Sequence, residues 1–135
     1  MSLDPDQARD FARTYTAAWC NHDPAGVAEH YVPGGTIAIN GGAPTEISEV
    51  ARSFMTAFPD IELFMDDVVA KDGAIEFHWT FVGTNTGPGG TGNRVRISGF
   101  ESWAFGDGGL VAQAQGHYDQ AEYDRQVEHG MAEPG

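Results

Sequence analysis

The sequence predicts an α+β fold in which a strongly curved antiparallel sheet packs on three N-terminal helices. Helix-start signals and helical apolar spacing fill the first half, and four long strand-like runs bounded by turn residues fill most of the second. Size agrees. A chain of 135 residues, 41% hydrophobic and 11% aromatic, has the composition for one core, so one domain over 1–135 is expected, frayed at 130–135.

Asp4 before Pro5 pairs a side-chain acceptor with a residue that has no N–H to satisfy, the signature of a helix start. Phe11, Tyr15, Ala18 and Trp19 then share one face of a helix reaching Asn21. Asp23-Pro24 repeats the start signal, with Val27, His30 and Tyr31 on one side before Val32-Pro33-Gly34-Gly35 breaks the helix. Residues 36–40 read as a brief strand ending in the Asn40-Gly41-Gly42 turn. Thr45 is placed to cap a third helix, in which Ile47, Val50, Ala51, Phe54 and Met55 line one face until Phe58-Pro59-Asp60.

Strands are expected at 61–70, 74–84, 94–105 and 110–118, with hairpin turns at Lys71-Asp72-Gly73 and Gly106-Asp107-Gly108-Gly109. Such lengths exceed the usual five or six residues, as in a sheet that twists and curls. A last helix at 120–129 carries Tyr123 and Val127 four apart.

Seven basic residues against 20 acidic ones give a formal charge of -13, which repels the phosphates of nucleic acid and the anionic face of membranes. No apolar run is long enough to span a bilayer, and Met1 to Arg13 lacks the basic-then-apolar order of a secretion signal, so a cytoplasmic protein is expected. Cys20 is the only cysteine and ends a helical pattern, which suits a small half-buried side chain better than a nucleophile. His22, His30, His78, His117 and His129 show no metal-ligand spacing. The stretch Gly87-Pro88-Gly89-Gly90-Thr91-Gly92 lacks the following helix and lysine of a phosphate loop, and reads as a flap or a plain hairpin loop.

The order of elements resembles the nuclear transport factor 2-like superfamily, in particular its SnoaL-like polyketide cyclase branch. The resemblance rests on Phe58-Pro59-Asp60, on Phe77-His78-Trp79-Thr80-Phe81-Val82-Gly83-Thr84-Asn85-Thr86-Gly87, on Gly99-Phe100-Glu101 and on a last strand ending in Asp119. It covers nearly the whole chain and implies a cone-shaped barrel, a small-molecule pocket and a homodimer built on the outer sheet face. For activity it implies cofactor-free acid/base chemistry of the cyclase, isomerase or lyase (dehydratase) type, though the superfamily also holds epoxide hydrolases and binding proteins without turnover. Asn85 stands where the branch has a histidine, and the last strand reads Gln113-Ala114-Gln115 where relatives often carry Glu-His-Trp.

Along Val95, Ile97, Gly99, Glu101, Trp103 and Phe105 the alternate positions are apolar except for Glu101, which therefore faces inward. A carboxyl in apolar surroundings has a raised pKa and can serve as a general acid or base; it can equally be a structural acid with an inward partner. The last strand has two registers. A two-residue turn at Asp107-Gly108 puts Gln113, Gln115, His117 and Asp119 outside, whereas a slip of one residue turns the whole set inward. The resemblance favours the inward register, because Asp119 matches the branch's acid/base aspartate, with His117 beside it. His78 shares a mixed strand face with Glu76 and Thr80, while Ile75, Phe77, Trp79 and Phe81 form the apolar side; His78 is a weaker catalytic candidate. Tyr15, Trp19, Tyr31, Met55, Phe58 and Trp103 are the expected pocket wall, with Gln113 and Gln115 as polar lining and Asn40 as an oriented amide. These residues point to an enzyme that moves a proton next to a carbonyl in a small, mostly apolar compound, or to a ligand-binding module of the same fold.

Overall fold

The structure, a computed structural model, describes residues 4–71 and 74–131. Asp4 caps α1 (Pro5–Cys20): its carboxylate accepts the Gln7 N–H at 2.8 Å while the Gln7 side chain accepts the Asp4 N–H at 3.2 Å, a closed capping box. Asp23 caps α2 (Pro24–Ala28), which is shorter than the apolar spacing suggested. Tyr31 opens a strand instead of closing that helix, and β1 runs Tyr31–Ile39 through the segment expected to break it. Pro33 has no N–H to give a ladder and Gly34 takes φ 79°, so residues 32–35 bulge out: Tyr31 pairs with Val111, and pairing resumes only at Thr36 with Gln113. Thr45 belongs to β2 (Thr45–Glu46), which pairs on β1, and α3 (Ile47–Ala57) begins without a side-chain cap.

The second half is β3 (Glu62–Lys71), β4 (Ala74–Thr84), β5 (Arg94–Phe105), a 3-10 turn at Asp107–Gly109, β6 (Val111–Tyr118) and α4 (Gln120–His129). The expected bounds agree to within one residue at each end. The hairpin residues 72–73 and the end at 132–135 lie outside the described residues.

One sheet carries all the strands in the order β2-β1-β6-β5-β4-β3. It is mixed rather than antiparallel throughout, because β1 reaches β6 only after a long crossover and meets it parallel. It is also open: β2 and β3 are edges and do not pair, so the cone-shaped barrel is a curled sheet with helices laid in its hollow. Phe77 and Trp103 stack at 5.1 Å, and Tyr15 from α1 meets both edge-on, at 5.6 and 5.3 Å. All three rings are fully buried. Cys20 fixes the end of α1 to β3, its thiol donating to the Leu63 carbonyl at 3.2 Å and accepting the Leu63 N–H at 3.3 Å.

Two of the motif residues hold loops. Asp60 accepts the Thr84 N–H at 2.7 Å and the Thr84 hydroxyl at 2.8 Å, joining the start of β3 to the end of β4. Asn85 is buried; its amide donates to the Ala57 carbonyl at 3.2 Å and accepts the Thr91 N–H at 2.9 Å. The glycine-rich loop is thus braced against α3, and Thr91 and Asn93 both bond the Val127 carbonyl of α4. Asn85→Ala leaves the Thr91 N–H without its acceptor and the Ala57 carbonyl with only the Gly87 N–H of its two donors. A loss of about 2 kcal/mol in unfolding free energy is expected by chemical denaturation.

Candidate functional site

Glu101 sits on the inward face of β5, 6% exposed. Its Oε1 accepts the Tyr15 hydroxyl at 3.0 Å and the Trp103 indole N–H at 2.9 Å. Trp103 can reach it because the two residues share a strand face, and Tyr15 because α1 crosses that face. Burial pushes the carboxyl up to about 7, against the pull of the two hydrogen bonds. The same burial, with the carboxylate nearby, keeps Tyr15 and Tyr31 neutral by raising both well above the ordinary tyrosine range.

Both donors converge on Oε1, and Glu101 also lines a cavity. That cavity has a volume of about 50 Å³ and an almost wholly apolar wall. Trp19, Ile37, Ile61, Leu63, Trp79 and Phe81 form its deep part, all buried. Ile39, Val50, Phe54 and Tyr118 form a half-buried rim between the ends of β1 and β6 and the face of α3. Gly116 lies directly across from Glu101, and its missing side chain makes room for two isoleucines: a Cβ there would come to 3.0 Å from Ile39 Cδ1 and 3.4 Å from Ile37 Cδ1. Gly99 acts similarly two residues before Glu101 on β5, where a Cβ would meet Trp79 Cζ2 at 2.9 Å. Trp79 Nε1, on the cavity wall, is buried without a hydrogen-bond partner among the described residues, whereas the buried Trp19 indole and Tyr31 hydroxyl interact with the hydroxyl of Tyr15.

The structure overturns the inward register for the last strand. Trp103 pairs with Ala114 and Glu101 with Gly116, two residues away from the two-residue-turn register. The 3-10 turn and a bulge between Ala104 and Phe105 absorb the offset, and an even offset leaves the faces unchanged. Gln113, Gln115 and His117 are therefore exposed on the outer face. Asp119 is also exposed and caps α4, accepting the Glu122 N–H at 3.1 Å. His78 is on the outer face as well, bonded to Glu76 at 3.1 Å and stacked on Phe100, whose other neighbour is the His117 ring at 4.8 Å.

Of the expected wall, only Trp19 lines the cavity. Tyr15 and Trp103 stand behind Glu101, while Tyr31, Met55 and Phe58 are core. Asn40, at φ 50°, accepts the Tyr118 N–H at 2.9 Å and so fixes the end of β6. Trp79 and Phe81 are legible in the sequence as the apolar side of their strand but not as a pocket wall. Phe54, Gly116 and Tyr118 are placed there only by the sheet's curl and register.

The chain belongs to the SnoaL-like domain family, whose family model matches residues 12–114. Its fold is that of AclR from Streptomyces galilaeus, a proposed hydroxylase, with a TM-score of 0.79 at 20% identity over 97% of this chain and 87% of that one. It is also that of a proposed SnoaL-like polyketide cyclase from Jannaschia sp. CCS1, with a TM-score of 0.76 at 16% identity over 97% and 99%. SalBIII, an epoxide hydrolase/cyclase-like enzyme of pyran ring formation in the polyether salinomycin, gives 0.74 at 16% identity over 88% and 95%. Comparison with curated proteins gives no match.

A carboxyl whose pKa rises from 4.5 unfolded to about 7 folded binds its proton more tightly in the native state. The stability it lends is complete below pH 4.5 and is lost as pH rises through 7. The loss amounts to about 3 kcal/mol at one pKa unit per 1.36 kcal/mol. Glu101→Gln keeps an acceptor for Tyr15 and Trp103 and carries no charge. Denaturation from pH 4 to 8 is expected to show the wild type weakening relative to this variant by that order.

Proposed function

We propose that the protein is a cofactor-free acid/base enzyme that moves a proton at a carbon next to a carbonyl in a small, mostly apolar compound, with Glu101 as the proton carrier. The observation that carries this reading is a buried carboxyl held by two donors on one oxygen and lining an apolar hollow, where burial pushes its pKa up to about 7. At neutral pH such a group is present in both forms and can take a proton and return it. The unmet indole N–H of Trp79 on the cavity wall suits an enolate oxygen better than a hydrocarbon. A ring-sized substrate needs more room than 50 Å³, and the half-buried rim side chains Val50 and Phe54 of α3 are the parts able to give way.

The family likeness supports cyclisation, double-bond shift or dehydration as the reaction class. Epoxide hydrolysis fits less well: no arginine lines the cavity among the described residues, and Arg94 and Arg96 are exposed. The outer face is left for a second copy of the chain, with Phe64 47% exposed beside the His78–Phe100–His117 stack. Sedimentation is expected to show a dimer that Phe64→Glu weakens.

Deuterium exchange at the carbon next to the carbonyl of acetophenone in D2O, followed by NMR, tests the chemistry. The wild type is expected to accelerate exchange with a midpoint near pH 7. Glu101→Gln should lose at least about a hundredfold, and His117→Gln or Asp119→Asn should not. Binding without exchange would mean a ligand-binding module instead.

A further inference from the structure

The cavity rim carries a second residue with a polar group, Tyr118. Tyr118 lies two residues beyond Gly116 on the inward face of β6, so its backbone is about 7 Å further toward the mouth than the position facing Glu101. Its ring is held edge-on by Trp79 at 6.1 Å and by Tyr123 at 5.6 Å, and its backbone N–H is held by Asn40. Tyr118 is half-buried and lines the cavity, and its hydroxyl makes no hydrogen bond among the described residues. Partial burial and the neighbouring Tyr123 and Asp124 push it up to about 12, so it remains a neutral phenol able to donate or accept. Between Glu101 and Tyr118 the wall is hydrocarbon and ring, with the Ile37 and Ile39 side chains lying over Gly116.

The geometry points to Tyr118 as a rim-side hydrogen-bonding residue that selects ligands with two oxygen functions, a carbonyl at the Glu101 end and a second oxygen across a flat apolar spacer at the mouth. This rests on the reading of Glu101 as the carbonyl end, and adds that ligand length and the second oxygen are read by the protein.

The test compares the affinities of 4-hydroxyacetophenone and acetophenone, which differ only in the far oxygen, by tryptophan fluorescence titration. The wild type is expected to prefer the hydroxylated probe by about three- to tenfold, the worth of one neutral hydrogen bond. Tyr118→Phe, which retains the ring packing on Trp79 and Tyr123, should bring the ratio to near one. Glu101→Gln should keep the ratio while losing exchange, so failure of the proton-transfer reading and failure of the rim reading give different results. Equal affinities in the wild type, or a ratio unchanged in Tyr118→Phe, would overturn the proposal.

Discussion

The Glu101 carboxyl, buried beneath α1 and bound on one oxygen by Tyr15 and Trp103, is the interaction on which the rest of the site depends. A carboxyl taken from water costs free energy unless it is protonated or well bonded, and here both remedies operate. The two donors fix its orientation. Their rings also belong to the largest fully buried set in the molecule, so the geometry of the carboxyl is enforced by the core itself. Core and site share Tyr15 and Trp103, and neither can be changed without disturbing the other.

The wall of the hollow beside Glu101 depends on small residues in the sheet. Ala114 and Gly116 are the inward residues of β6 opposite Trp103 and Glu101, and the bare backbone of Gly116 lets the Ile37 and Ile39 side chains of β1 lie against it and line the cavity. Gly99 lets Trp79 lie close against β5. The rim lies where β1 and β6 end beside the face of α3 and burial is less complete, so the floor is rigid and the mouth can yield.

Much of this is legible in the sequence where one physical signal dominates. Asp4-Pro5 and Asp23-Pro24 start helices because capping chemistry is local, and the long alternating runs make strands because their period admits nothing else. Glu101 stands out as a single charge in an apolar alternation. The facing of the last strand is not legible, because it depends on how many residues a glycine-rich turn absorbs, which alternation cannot count. The resemblance at Asp119 favours the wrong, inward register, whereas the carboxylate is occupied in capping α4. Val32 to Gly35 reads as a helix breaker but forms a bulge inside β1, since proline and glycine interrupt either kind of ladder.

The proposed proton transfer at neutral pH and the dependence of stability on pH both rest on one property, the raised pKa of Glu101. The most direct measurement is the carbon-13 NMR titration of the Glu101 side-chain carboxyl, assigned by its disappearance in Glu101→Gln. A midpoint near 7 is expected. Titration in the ordinary carboxylate range near 4.5 would contradict the account, since the group would then be a solvated or ion-paired anion with no proton to exchange at neutral pH.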